Sequence, residues 1–199
     1  MRNRLNYQST EYDCGPTSLV NAIRFLFDRE EIDPGLIKGI WHLGNDTYNE
    51  EGCPGKHGTS MAAACYIASW INGYAKGWKF PLKTEYMSGL CVQAGPQTPI
   101  DACLESGGCA VIRCWTGEIP HYVLLTCLTP DGFIGLWDPY DEAPDLDPEK
   151  YRIISDSRQM NRMVRVDVLN STGKEDYAMG AEEHREVILF TRTDGKDSL

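Results

Sequence analysis

One cysteine of this sequence stands at a position suited to nucleophilic chemistry. Cys14 lies in the run Asp-Cys-Gly-Pro, directly before an apolar-periodic segment that predicts a helix, and Gln8 lies a few residues upstream. The unpaired backbone N–H groups of a helix N-terminus create a positive field that favours the thiolate, the nucleophilic form of cysteine. The sequence therefore indicates Cys14 as a candidate nucleophile, which needs a base and a residue that orients this base.

A candidate base and a candidate orienting carboxylate occur much later in the chain. His121 stands at the start of an apolar run that predicts a strand, and Asp138 ends the next predicted strand. Pro130, Asp131 and Gly132 predict a short turn between the two strands, which makes them an antiparallel hairpin. The start of the first strand then lies beside the end of the second, so His121 and Asp138 are predicted neighbours in the arrangement by which a carboxylate orients an imidazole.

These residues together resemble a known family. Gln8, the Asp-Cys-Gly-Pro run at Cys14, the run His-Tyr-Val-Leu-Leu from His121 and the Asp-Pro pair at Asp138 resemble the papain-like cysteine peptidases. The most similar branch is that of the double-glycine, bacteriocin-processing peptidases and their stand-alone C39-like relatives. The resemblance is confined to two blocks, roughly residues 1–30 and 109–139. It implies a papain-like fold, with the active site in the cleft between a helical half and a β half.

The resemblance also implies a role for each residue. Cys14 would be the nucleophile and His121 the general base and acid, with Asp138 as the orienting carboxylate. Gln8 would supply an oxyanion donor beside the backbone N–H of Cys14, and one preorganised donor of this kind is typically worth roughly 3 kcal/mol of barrier. Of the residues between them, Gly15 is expected to leave room for a substrate, and Asp13 to bind backbone N–H groups in a turn or cap.

Three functions are compatible with these residues. The first is a thiol hydrolase that cleaves a peptide or isopeptide bond through an acyl-enzyme at Cys14. The second is an acyltransferase on the same scaffold, which would share every catalytic residue with the hydrolase. The third is a non-catalytic binding or regulatory module that keeps the fold, against which the joint presence of all four side chains counts. The family suggests a double-glycine leader peptide as substrate, although its members are usually joined to a membrane exporter.

Composition narrows the class of partner. The 199-residue chain carries a net charge of −10, which argues against nucleic acid, and it has no apolar run long enough to span a membrane and no secretory signal. We therefore expect a peptide or acyl-amide substrate, no cofactor and a cytoplasmic location, with the eight cysteines reduced. The oligomeric state stays open.

Two further clusters are expected not to bind a metal. Cys53, His57 and Cys65 lack a paired Cys-x-x-Cys motif, so no zinc site is predicted. The acidic segment 138–149 lacks the EF-hand register and is predicted to be a solvated loop. If this segment lined the cleft, it would favour substrates with a positive charge.

Helices precede strands along this chain, which predicts an α+β domain. We expect one domain over 1–199, with a mainly helical part at 1–76, a mainly β part at 77–193 and a polar tail at 194–199. The loop 44–58 could cover the substrate. Residue Thr59 is expected to cap a helix with the inner stripe Met61, Ala64, Cys65, Ala68 and Ile71. The other predicted elements are a helix after Cys14, helices at 34–42 and 99–105, and strands at 78–86, 109–115, 119–126, 132–138, 163–168 and 187–191.

Overall fold

A computed structural model describes residues 3–117, 119–141 and 147–195 of the chain. The helices are α1 (Cys14–Leu26), α2 (Pro34–Gly44), α3 (Met61–Trp78), α4 (Pro99–Glu105) and α5 (Val166–Leu169). The strands are β1 (Leu82–Ser88), β2 (Cys109–Thr116), β3 (Ile119–Leu128), β4 (Phe133–Trp137), β5 (Tyr151–Asp156), β6 (Met160–Arg165) and β7 (Glu186–Arg192).

The strands form one seven-stranded sheet in the order β1-β7-β2-β3-β4-β6-β5, and every neighbouring pair is antiparallel. The predicted α+β class, with helices first and an antiparallel sheet after them, is therefore confirmed. The hairpin of β3 and β4 also forms where the turn residues predict it.

Two apolar clusters lie on the two faces of this sheet. Helices α1, α2 and α3 pack on the face that carries Val111 and Leu124, and α4 and α5 pack on the face that carries Ile112 and Leu125. Successive residues of a strand point to opposite faces, so the central strands β2 and β3 are buried on both sides. This burial explains why their sequences read as nearly continuous apolar runs.

Helix α3 differs from the prediction at both ends. Its cap is Ser60, whose side chain accepts a hydrogen bond from Ala63 N, whereas the Thr59 hydroxyl donates to a carbonyl in another part of the chain. The predicted strand at 78–86 is wrong in its first half, because the helix continues to Trp78 and ends at Lys79 in the left-handed conformation. Strand β1 begins only at Leu82.

The inner stripe of α3 is also partly wrong. Ala64, Ala68 and Ile71 are buried as predicted, but Cys65 is exposed. Ile67 completes the buried face instead, because residues three and four positions apart share one side of a helix.

The C-terminal region departs further from the prediction. Strand β5 was not predicted, because this edge strand is mostly exposed and its six residues show no sustained alternation of apolar and polar side chains. Strand β6 ends at Arg165, and the residues predicted to continue it form α5. Within the predicted tail, Asp194 binds Arg192 at 2.7 Å, and residues 196–199 lie outside the described residues. Among the described residues, no helix combines the length and the apolar character needed to cross a membrane.

Candidate active site

Cys14 is the first residue of α1, so its N–H has no acceptor within the helix. One turn later on the same face, the Ser18 hydroxyl donates to the carbonyl oxygen of Tyr122 at 2.9 Å, in the buried interface with β3. Tyr122 directly follows His121 in that strand. This hydrogen bond holds α1 against β3. The buried Cys14 side chain consequently lies beside His121.

The first turn of α1 is closely packed by the end of α2 and by the residues that precede α3. A Cβ atom on Gly15 would lie 2.1 Å from Thr59 Oγ1, and a Cβ atom on Gly44 would lie 2.8 Å from Pro16 Cβ. The side chain of Thr59 donates to the Gly44 carbonyl in the same place. The expectation that Gly15 leaves room for a substrate is therefore wrong, because Thr59 fills this room.

His121 and Asp138 lie in contact, as the hairpin predicts. The distance between His121 Nε2 and Asp138 Oδ1 is 2.7 Å, and both side chains are buried. With Nε2 engaged in this contact, Nδ1 is the ring nitrogen left for the Cys14 side chain. The order thiol, imidazole, carboxylate is the one required for a nucleophile, its base and the group that orients this base.

The electrostatics of this pair favour the imidazolium. Burial alone lowers the pKa of His121, but the charge and hydrogen bond of Asp138, and then the Cys14 side chain, raise it from 6.5 to about 10. Burial works to raise the pKa of Asp138, and the His121 charge and hydrogen bond bring it below its usual value. At neutral pH the site therefore holds an imidazolium against a carboxylate, with the cysteine on the other side of the ring.

Asp138 is held by several donors that the sequence did not reveal. Its carboxylate accepts from Tyr140 N and from Tyr177 Oη, both at 2.8 Å. The side-chain amide of Asn161 accepts from Asp138 N and donates to Asp138 O, also at 2.8 Å. These bonds fix both the backbone and the side chain of the carboxylate that faces His121.

Tyr177 donates a hydrogen bond to Asp138 from a strained backbone conformation. It is buried and adopts φ 67°, a left-handed conformation that a bulky residue rarely takes. Burial and the charge of Asp138 raise the pKa of Tyr177 well above its usual value, so its hydroxyl stays a donor. The segment around it has no apolar period or known motif, and no signal in the sequence could have found it.

Gln8 lies beside the same end of β4. Its backbone N donates to Pro139 O at 2.8 Å, which places Gln8 next to Asp138. Its side-chain Nε2 donates to Thr10 O at 2.9 Å, leaving one amide N–H, and its Oε1 is buried without a partner. The carboxylate of Asp13 accepts from the backbone of Ser9 and Thr10, so Asp13 binds backbone N–H groups as expected and secures this turn.

A cleft of about 520 Å³ opens in front of Cys14. Loop 44–58 contributes Thr47, His57 and Gly58 to its wall, and the β2–β3 hairpin contributes Arg113, Ile119, Pro120 and Tyr122. The rest of the described lining consists of Glu11, Tyr12, Thr59, Ser60 and Met61. The loop thus borders the cleft, as a cover for a substrate would.

The acidic segment 138–149 does not supply this lining. None of its described members, 138–141 and 147–149, lines the cleft, and its residues 142–146 lie outside the described part of the chain. Within the described ranges, no group of three or more His, Cys, Asp or Glu side chains is arranged to hold a metal ion, and Cys53, His57 and Cys65 form no such group. All eight cysteines are free thiols.

The arrangement has what acyl transfer needs: a thiol at a helix N-terminus, a buried imidazole–carboxylate pair and an open cleft. Comparison of the sequence with protein-family models and with curated proteins gives no significant match. A functional assignment for this chain therefore depends on the geometry of its own residues.

Proposed function

We propose that this protein is a thiol hydrolase of the papain-like, C39-like type, which cleaves a peptide or isopeptide bond through an acyl-enzyme on Cys14. The observation that carries the proposal is the buried 2.7 Å contact between His121 and Asp138, with Cys14 against the same imidazole. Buried charges are costly unless they are paired, so a structural role alone gives little reason to keep this trio together.

The resting site pairs the Cys14 thiolate with the His121 imidazolium, which already carries the proton. In the first step, the thiolate sulfur attacks the carbonyl carbon of the substrate. The C=O π electrons move to oxygen, and the resulting oxyanion accepts hydrogen bonds from the Cys14 N–H and the remaining amide N–H of Gln8. Because the Gln8 amide carries no net charge, it adds less to ground-state binding than a cation would.

In the second step, the oxyanion collapses and the C–N bond breaks. The His121 imidazolium gives its proton to the leaving amine, and a thioester to Cys14 remains. A water molecule then attacks the thioester while neutral His121 accepts the water proton. The C–S bond breaks, which releases the acid and restores the thiolate beside the imidazolium. Asp138 keeps Nε2 occupied throughout, so that Nδ1 faces the reacting atoms.

The proposal can be tested without knowing the substrate. We expect iodoacetamide to alkylate Cys14 faster than the other seven cysteines below the pH at which free thiols react, as mapped by peptide mass spectrometry. The substitution His121→Ala should abolish this preference, because the imidazolium no longer stabilises the thiolate. His184→Ala, in an exposed histidine, is the matched control and should leave the preference intact. Equal labelling of all accessible cysteines in the wild type would refute the proposal.

A further inference from the structure

One cationic side chain lines the cleft in front of Cys14 and has no role in the mechanism above. Arg113 belongs to β2 and is half-buried in the cleft wall. Its guanidinium carbon lies 5.6 Å from the ring centroid of Trp115, within the range of a cation–π contact. It forms no hydrogen bond or ion pair with the described residues.

Glu186, a buried acid whose pKa responds to the charge of Arg113, already accepts hydrogen bonds from two tyrosines. Glu186 accepts from Tyr122 Oη at 2.5 Å and from Tyr86 Oη at 3.0 Å, one tyrosine on each carboxylate oxygen. Burial raises the pKa of Glu186, and the positive charge of Arg113 opposes this rise. Glu186 is thus satisfied by neutral hydroxyls, and among the described residues no carboxylate engages the guanidinium.

The register of the hairpin and the lining of the cleft place Arg113 relative to Cys14. Arg113 faces Tyr122 across β2 and β3, and Cys114 faces His121 on the next rung. Successive rungs point to opposite faces of the sheet, so Arg113 shares its face with Tyr122, which also lines the cleft. Because Cys14 lines the same cleft, a group bound by Arg113 belongs to the part of the substrate near the scissile bond.

We propose that Arg113 binds a carboxylate of the substrate, and that this site selects peptides with an acidic side chain or a free C-terminus near the scissile bond. The inference rests on the proposed function, since it names the substrate class of the same cleft. A planar guanidinium matches a carboxylate through two parallel hydrogen bonds, which a neutral amide of the same shape does not reproduce.

Two alkylating reagents of nearly equal size test this inference directly. Iodoacetate carries the carboxylate that iodoacetamide lacks, and both form the same bond to Cys14 with loss of iodide. The quantity measured is the rate constant for iodoacetate at Cys14 divided by the rate constant for iodoacetamide at Cys14. We expect this ratio to fall about fivefold in Arg113→Gln, the size of a partly exposed arginine–carboxylate contact. Arg158→Gln, which removes an equal charge at an exposed turn, should leave the ratio unchanged.

The outcomes separate the two proposals. If wild-type Cys14 reacts no faster than the other cysteines with either reagent, the hydrolase proposal fails. If Cys14 is selectively labelled but the ratio is the same in Arg113→Gln, the hydrolase proposal stands and the role of Arg113 is refuted. Arg113→Lys serves as a second variant in case the first does not fold. It keeps the charge without the fork and should retain only part of the preference for iodoacetate.

Matched peptide libraries then identify the source of the carboxylate. One library has free C-termini and the other amidated C-termini, and each contains Glu–Gln and Asp–Asn isosteric pairs at every position. Cleavage favoured by an acidic residue beside the bond assigns the carboxylate to a side chain, and cleavage lost on amidation assigns it to the C-terminus. Both preferences should be lost in Arg113→Gln. Cleavage that is indifferent to both features would overturn the inference.

Discussion

The substitution Asp138→Asn should reverse the charge state of the candidate site. In the wild type, burial lowers the pKa of His121, but Asp138 and, to a smaller extent, Cys14 outweigh it and raise this pKa from 6.5 to about 10. A rise of about 3.5 pH units corresponds to about 5 kcal/mol in favour of the imidazolium. Without the carboxylate charge, burial dominates, and we expect the pKa of His121 to fall below 6.5.

This change has a consequence for stability as well as for reactivity. A folded-state pKa above the unfolded value stabilises the protein fully below pH 6.5, and this contribution is lost as the pH rises through about 10. In Asp138→Asn the sign reverses, since a pKa below 6.5 makes the His121 contribution fall as the pH falls. The wild type should therefore lose stability between pH 7 and 10, whereas the variant should lose it towards acid pH.

Nuclear magnetic resonance of the imidazole C–H signals measures the pKa of His121, and the signal is assigned by its loss in His121→Ala. Urea unfolding over the same pH range measures the stability. Asp131→Asn is the control, because this aspartate lies exposed on the turn of the same hairpin. A wild-type His121 that titrates near pH 6.5, or an equal pKa in Asp138→Asn, would refute the reasoning.

Two further predictions concern the packing behind the site. Tyr177→Phe removes a 2.8 Å hydrogen bond to the buried carboxylate and should lower the free energy of unfolding in urea by about 2 kcal/mol, while Tyr66→Phe, in an exposed tyrosine, should change it little. If Tyr177→Phe and Tyr66→Phe lowered the free energy of unfolding equally, the hydrogen bond from Tyr177 to Asp138 would not stabilise the protein. Gly15→Ala places a methyl group 2.1 Å from Thr59 Oγ1 and should lower the thermal midpoint, at a cost of about 1–3 kcal/mol. Gly73→Ala, in a helix with nothing within 4 Å, should instead add about 0.5–1 kcal/mol, and similar effects of both alanines would contradict the packing at Gly15.

The elements that carry the chemistry could be predicted because their signals are local. The apolar period after Cys14 indicates the helix, and the turn between two apolar runs indicates the hairpin. A hairpin also defines its own register, which is why the contact between His121 and Asp138 follows from neighbouring stretches of sequence. Where the local signal was ambiguous, as at Trp78, the helix simply continued past the predicted strand start.

Only the tertiary structure decided which distant residues complete the site. Tyr177 and Asn161 reach Asp138 from other parts of the chain, and Arg113 enters the cleft from the strand next to that of His121. Thr59 fills the space at Gly15 from the start of another helix. A hydrogen bond or a steric contact depends on where two groups lie in space. Where the chain between them carries no periodic pattern, composition and spacing leave that distance undetermined, and the packing of the sheet sets it.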